Sequence, residues 1–156
     1  MAGDGYWGSI VVLNGVPNSP LNRYNQVKNV DIQNNTIINY GSISFGEGKY
    51  SEKTLAPINT NFSSNIIYNS NPSKNIVFVD NAAGISFNTN YLDTPTTEVL
   101  NGFKTSKLDW NELGAFRIST ANNSDLLAVT KKAKSFDKDI RNAVRKVFNA
   151  GDFNLD

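Results

Sequence analysis

Short apolar runs and polar pairs alternate along the first part of the chain, and the pattern returns at a regular distance. Residues 30–39 read VDIQNNTIIN, residues 60–69 read TNFSSNIIYN and residues 84–92 read GISFNTNYL. Overlaying these stretches, with spacings of thirty and twenty-five residues, gives three columns of like residues: Ile32, Phe62 and Phe87; Asn35, Asn65 and Asn90; Ile37, Ile67 and Leu92. Each polar pair therefore marks a corner between two short strands, which recurs because the structural unit recurs.

Further short strands lie between these copies, at residues 9–14, 41–46 and 74–80. Each is a few β-branched or aromatic residues bounded by Gly, Asn, Ser or Pro. A repeat of this length with several very short strands favours a parallel β-helix, in which each strand pairs with its counterpart one coil on. The sequence thus predicts an all-β fold of about three to four coils over residues 1–93. The alternative interpretation is a β-sandwich in which the spacing is coincidental.

Asparagine is the most informative residue type in the composition. The chain holds 24 of them among 156 residues, with 39% hydrophobic and 19% charged residues. Asparagine is disfavoured inside strands and helices, but it tolerates the left-handed backbone conformation that tight turns require. We therefore expect asparagines to form the corners, and stacked copies to hydrogen-bond to one another as a ladder.

The repeat ends near residue 93, and residues 94–156 predict a C-terminal segment that caps the last coil. Its first part reads as loop, and Asn123 and Ser124 are suitable caps for a short helix. A solenoid needs such a cap because its open end exposes unpaired strand edges. No matching cap precedes Ser9, so the sequence predicts that preceding coils are missing and that the open N-terminal edge can self-associate.

Several classes of chemistry are excluded by composition. The chain has no cysteine and no histidine, which excludes disulfides, zinc–thiolate sites, Ser-His-Asp triads and histidine-based metal centres. The net charge of +1 indicates neither nucleic acid nor a membrane as a partner, and no apolar run is long enough to span a bilayer. Seven of the fifteen Lys and Arg residues fall within residues 131–146, where a solvated face is the simpler interpretation than an anion site.

Residues 13–39, LNGVPNSPLNRYNQVKNVDIQNNTIIN, strongly resemble polysaccharide lyase family six, which contains chondroitinase B and alginate lyases. The similarity continues through NIIYNS and GISFNTN to the tail DKDIRNAVRKVFNAGDF, so it covers nearly the whole chain. The resemblance implies a right-handed parallel β-helix whose family cleaves uronic-acid polysaccharides by β-elimination. In that family a lysine removes the C5 proton, an arginine assists as acid, and calcium often neutralises the substrate carboxylate.

The chain departs from the family pattern at the catalytic residues. The resemblance places the family's lysine, arginine and calcium ligands on coils that precede the segment matching residue 13. Lys28 matches a family lysine that is not the base, so we do not assign it that role. Asp80, Asp93 and Asp109 are isolated, so no calcium site is expected in this chain, although the complete enzymes use calcium. We therefore expect no catalytic residue and no metal site here.

Substrate contacts remain conceivable for six residues. Arg23, Tyr24 and Gln26 lie in the loop that in relatives approaches the substrate cleft, where an arginine can form a bidentate bond with a uronate. A hydrogen bond that merely fixes the loop is the alternative role. Tyr6 and Trp7 beside the first strand, and Tyr50 after GEG, are aromatic candidates for sugar stacking, with edge packing as the alternative.

Three interpretations follow. The chain is the C-terminal portion of a secreted or periplasmic lyase, inactive alone; or it is a non-catalytic β-solenoid that binds acidic polysaccharide or has a structural role; or, least simply, it is a complete small enzyme. The N-terminus MAGDGYWGS is not a signal peptide, so the chain either stays inside the cell or lacks its natural start. Its sequence does not distinguish alginate from dermatan sulfate.

Overall fold

The computed structural model describes residues 10–38, 41–48, 52–69, 71, 77–93, 100–105, 110, 111, 117 and 118. These residues form twelve strands and no helix. The strands are β1 Ile10–Leu13, β2 Asp31–Gln33, β3 Thr36–Ile38, β4 Ile43–Glu47, β5 Thr60–Ser63, β6 Ile66–Tyr68, β7 Val77–Val79, β8 Ile85–Asn88, β9 Asn90–Leu92, β10 Phe103–Thr105, β11 Trp110–Asn111 and β12 Arg117–Ile118.

Ten of the strands build three parallel sheets. Their orders are β1-β4-β7, β2-β5-β8 and β10-β9-β6-β3, so every third strand along the first nine returns to the same sheet. All pairings within these sheets are parallel. This arrangement is a parallel β-helix, as the sequence predicted, and not the alternative of antiparallel sheets packed face to face.

The three columns found by overlay are true neighbours in the sheets. Ile32 pairs with Phe62, which pairs with Phe87. Ile37 pairs with Ile67, which pairs with Leu92. Stacking puts like side chains over like, because each coil repeats the same path with inward and outward positions unchanged.

Four phenylalanines meet in the core: Phe45 and Phe62 from the second coil, Phe87 from the third, and Phe103 from the level after it. Phe45 and Phe62 are fully buried, and their ring centroids lie 4.9 Å apart in an edge-to-face arrangement. Phe87 lies 5.0 Å from Phe45, and Phe103 lies 6.0 Å from Phe62. Such aromatic contacts add to the stabilisation from area burial and hold successive coils in register.

The corners of the coils use two different residues for two tasks. The residues in the left-handed conformation between the second and third strand of each coil are Asn34, Ser64 and Thr89, with φ of 56°, 58° and 53°. The next residue in each coil belongs to the asparagine ladder. Asparagine was expected at the left-handed turn positions. This is confirmed at Asn34, and at Asn29 and Asn59 ahead of the second strand of the first two coils, with φ of 55° and 50°, but Ser64 and Thr89 replace it at the later copies of this corner.

The ladder itself forms as expected. Asn35 donates from both its backbone N–H and its Nδ2 to Oδ1 of Asn65, each at 3.0 Å. Asn65 repeats the pattern toward Oδ1 of Asn90, at 3.1 and 3.0 Å. Both inner asparagines are fully buried, so the ladder satisfies polar groups that water cannot reach.

Parallel pairing extends beyond residue 93, where the sequence repeat ends. Strand β10 pairs with β9, with Phe103 opposite Asn90. Gly102, with φ of 83°, takes the corner position that Thr89 holds one level before. The overlay missed this strand because phenylalanine replaces asparagine in the column and only thirteen residues separate Asn90 from Phe103.

Most of the predicted cap falls outside the described residues. Within it, β11 and β12 form an antiparallel pair. Residues 119–156, including the helix predicted after Ser124, are not described, so the capping role and the division at residue 93 stay predictions. In the part of the chain that the structure describes, no helix is long and apolar enough to cross a membrane.

Candidate functional site

Two loops, residues 15–28 after β1 and residues 52–58 after β4, lie side by side on successive coils. We call them together the loop platform. Gly15 and Leu55 exchange backbone hydrogen bonds at 2.8 and 3.0 Å, and the Ile58 N–H donates to the Val27 carbonyl at 2.9 Å. The two loops of the platform are therefore joined to each other at both ends.

The side chain of Gln26 adds a third link between the two loops. Its Nε2 donates to the Ala56 carbonyl at 2.6 Å, across thirty residues of sequence. Residue 15 must be a glycine for the two ends of the first loop to approach this closely, because a Cβ at Gly15 would lie only 2.7 Å from the Gln26 backbone nitrogen. The close approach of the two backbones fixes where the rest of the first loop projects.

The projecting part of the first loop is shaped by its own tight turns. Arg23 donates its N–H to the Pro20 carbonyl at 2.9 Å, and Asn25 Nδ2 donates to the Leu21 carbonyl at 2.9 Å. The Val16 N–H closes the base of the loop by donating to the Tyr24 carbonyl at 2.8 Å. Proline and asparagine suit such turns, and they give the exposed tip a defined shape.

Apolar exposure concentrates on the loop platform. Among the described residues, the exposed large hydrophobic side chains are Leu21, Tyr24 and Ile58, which are 96%, 46% and 47% exposed. All three belong to the two loops defined above. Exposed apolar side chains that fall on two joined loops, and nowhere else among the described residues, make the loop platform the candidate binding surface.

Positive charge concentrates there as well. Arg23 and Lys28 are exposed, and Lys53 is half-buried with its Nζ 4.4 Å from the centroid of the Tyr24 ring. Glu52 is the one acidic residue within the two segments, against these three cations. A surface that combines cations with apolar and aromatic groups suits a ligand with both carboxylates and C–H faces, as acidic sugars have.

The six residues singled out from the sequence have different outcomes. Arg23 and Tyr24 are neighbours in the first loop of the platform, and both are exposed. Gln26 uses its side-chain amide to hold the two loops together, a loop-fixing role that had been considered as the alternative for Arg23. The remaining three candidates, Tyr6, Trp7 and Tyr50, lie outside the described residues.

Sequence reasoning missed Lys53, Leu21 and Ile58. The spacing of the coils carries a usable signal, because Lys53 follows Arg23 by thirty residues and Ile58 follows Lys28 by thirty, the spacing of the first two coils. Lys28 and Ile58 indeed form a parallel bridge. Applying the coil spacing to loops as well as strands would have placed Lys53 near Arg23 and Ile58 beside Lys28, whereas it gives no signal for Leu21.

A metal ion has no evident set of ligands in the described ranges, where no three Asp, Glu, His or Cys side chains lie close enough to hold one. Lys28 is exposed, and its backbone forms the parallel bridge with Ile58.

Comparisons with known proteins agree with this fold. A family model described as chondroitinase B matches residues 1–139. Two structures of the PL6 family alginate lyase AlyGC, one of them a point mutant, are each 36% identical to the chain, with a TM-score of 0.59. Each comparison covers 69% of this chain and 15% of the alginate lyase, so the chain spans a small part of that enzyme's length. No curated protein matches the chain. By the extent of the family match and this level of identity, the chain belongs to the chondroitinase B family of polysaccharide lyases, polysaccharide lyase family six.

Proposed function

We propose that this chain is the C-terminal portion of a family-six polysaccharide lyase, and that its loop platform binds an acidic polysaccharide substrate. Family membership supports the class of reaction, which is cleavage of a uronic-acid polymer by β-elimination. The single observation that carries the binding role is the grouping of three cations and three exposed apolar side chains on two interlocked loops.

The chemistry of the platform fits a uronate residue. The Arg23 guanidinium offers paired N–H donors that match a carboxylate. The apolar side chains of Leu21 and Ile58 can cover the C–H face of a sugar ring, while hydroxyl groups remain in water. Because the loops are fixed by backbone hydrogen bonds before any ligand arrives, little conformational entropy is lost on binding.

We propose that the chain alone does not turn over substrate. In the family, the lysine base, the arginine acid and the calcium ligands belong to coils before the segment that matches residue 13. The proton at C5 is hardly acidic until the neighbouring carboxylate is neutralised, so a platform that only binds the polymer cannot replace those groups. Calcium, where the complete enzyme binds it, supplies that neutralisation.

The finer features of the fold belong to the same proposal. A right-handed sense of coiling follows from the strong preference of parallel crossovers. Residues 94–156 would cover the end of the last coil, and Tyr6, Trp7 and Tyr50 would extend the sugar-binding surface. The parent protein would be secreted or periplasmic, where polysaccharide substrates are found.

The second candidate function is a non-catalytic β-solenoid that binds acidic polysaccharide or has a structural role. The loop platform favours polysaccharide binding under both candidate functions. The two candidates therefore differ in whether substrate is cleaved when the chain is joined to the preceding coils of a lyase. The test mixes the chain with alginate and with dermatan sulfate, and follows both binding by calorimetry and the absorbance of the unsaturated uronate product. We expect binding without product; clear product formation by this chain would refute the proposed division of labour, and absence of binding to both polymers would refute the platform's role.

A further inference from the structure

Lys53 is held in a defined position by two contacts. Its Nζ lies 4.4 Å from the centroid of the Tyr24 ring, within the range of a cation–π interaction. Its aliphatic stem passes over Gly48, where a Cβ would lie 2.7 Å from Lys53 Cδ. Gly48 has φ of 89°, a backbone conformation that favours glycine. Because glycine has no side chain, the space above Gly48 is free for the aliphatic part of Lys53.

This placement differs from that of an ordinary surface lysine. A free lysine samples many rotamers, and fixing it on a ligand costs side-chain entropy. Lys53 is half-buried, and its rotamer is restricted by the Tyr24 ring and the Gly48 backbone before any ligand binds. Much of the ordering cost is therefore met within the free protein.

The contact with Tyr24 also leaves the charge of Lys53 available. A cation–π contact orients an ammonium without neutralising it, whereas an ion pair would satisfy its donors with a carboxylate. Within the described residues, Lys53 makes no ion pair. Its ammonium therefore keeps donors for a carboxylate from outside the chain.

We propose that Lys53 is a specificity-determining residue of the loop platform, which binds a uronate carboxylate and so distinguishes acidic from neutral polysaccharide. Tyr24 is its positioning residue and acts through the cation–π contact. This inference rests on the proposed function, because it assigns a role within the same binding surface. Arg23, one coil earlier at the matching spacing, provides the second cation for the same polymer.

The test compares Lys53→Met with Lys104→Met by calorimetric titration with sodium alginate and with neutral dextran. Lys104 on β10 is the matched control, since its Nζ also faces a ring, that of Tyr91 at 5.8 Å, but it lies outside the platform. We expect Lys53→Met to weaken alginate binding about tenfold, the loss of one charge-assisted contact, and to make its salt dependence shallower. Lys104→Met should bind as the unmodified chain does, and Lys53→Arg should retain most of the affinity.

Two variants of Tyr24 separate positioning from charge. Tyr24→Phe keeps the ring face and should bind alginate within about twofold of the unmodified chain, whereas Tyr24→Leu should weaken binding several-fold with no change in net charge. Thermal unfolding of each variant verifies that the fold is intact. Equal alginate binding by Lys53→Met and the unmodified chain would overturn this inference alone. An unmodified chain that does not bind alginate would overturn the proposed function and this inference with it.

Discussion

The side-chain Nδ2 of Asn65 donates a hydrogen bond to Oδ1 of Asn90 at 3.0 Å, although 25 residues separate them in the chain. The same Nδ2 group donates to the Ile32 carbonyl at 2.9 Å, and Oδ1 of Asn65 accepts two hydrogen bonds from Asn35. Every donor and acceptor of this fully buried amide is thus used. The ladder joins three coils through one column of side chains.

Replacing Asn65 by alanine should therefore be much more costly than replacing Asn35. Asn65→Ala leaves buried partners of the amide without hydrogen bonds, and we expect a loss of roughly 2–4 kcal/mol in the free energy of unfolding. Asn35 is exposed, so water can replace its contacts, and Asn35→Ala should cost about 1 kcal/mol or less. Urea denaturation of the two variants measures the difference. Equal losses in the free energy of unfolding for the two variants would show that the buried hydrogen bonds of Asn65 do not stabilise the fold more than the exposed ones of Asn35.

Thr89 offers a site for stabilisation, because a β-branched residue in the left-handed conformation is strained. Its φ is 53°, and Asn34 occupies the equivalent corner two coils earlier with φ of 56°. Thr89→Asn should raise the free energy of unfolding by about 1 kcal/mol. The reverse substitution, Asn34→Thr, should lower the free energy of unfolding. If urea denaturation shows that both variants are stabilised, or that both are destabilised, strain at Thr89 is not the cause.

Phe103 occupies the position of the column where the repeat would place an asparagine. We expect that replacing Phe103 by asparagine lowers the stability of the protein. Its ring is buried, 6.0 Å from Phe62 and 5.5 Å from Phe87. Phe103→Asn would extend the ladder in sequence but would place an amide in an aromatic core, with a loss of about 3 kcal/mol or more. The adjacent exposed change Lys104→Asn should cost about 0.5 kcal/mol or less. A Phe103→Asn variant as stable as the unmodified chain would mean that the ladder, and not the phenylalanine cluster, closes this end.

The columns of the β-helix were predictable from the sequence because stacking imposes the same residue type at the same place in each coil. Ile32, Phe62 and Phe87 share a column since each must fill the same interior position. Thr89 was not predictable as a left-handed residue, since β-branched residues avoid that conformation and only the surrounding coil enforces it. The repeat spacing also failed to predict β10, because Phe103 follows its partner Asn90 by only thirteen residues and the earlier spacings are thirty and twenty-five residues.

The loop platform was predictable in part, for a different reason. Arg23 and Tyr24 could be named from the resemblance to family relatives, whose matching loop approaches the cleft. The contact between Lys53 and Tyr24 depends on a side-chain rotamer and on the space above Gly48, neither of which a repeat spacing specifies. Gln26 shows the opposite case, since a residue chosen for substrate binding serves to join the two loops.

The role of Gln26 leads to a separable effect on binding. Gln26→Leu removes the hydrogen bond to the Ala56 carbonyl but keeps the size of the side chain. We expect a small loss of stability, about 1 kcal/mol, and weaker alginate binding with an unchanged salt dependence, because no charge is lost. Calorimetric titrations at two salt concentrations check this. A shallower salt dependence, like that expected for Lys53→Met, would instead indicate that Gln26 acts through the cations.

The N-terminal edge of the coils should support self-association. Among the described strands, β1, β2 and β3 end their sheets at this edge with a hydrogen-bonded neighbour on one side only, and unpaired strand edges are templates for another chain. We expect sedimentation velocity to show association that increases with protein concentration. Val11→Lys on β1 should suppress it, because Val11 lies between the inward-facing Ile10 and Val12 and a lysine there opposes edge pairing. Asn61→Lys, which adds the same charge on β5, the central strand of its sheet, should leave the association unchanged. If both variants suppress association equally, general charge repulsion and not the β1 edge controls it, and an unmodified chain that stays monomeric at all concentrations would remove this surface from consideration.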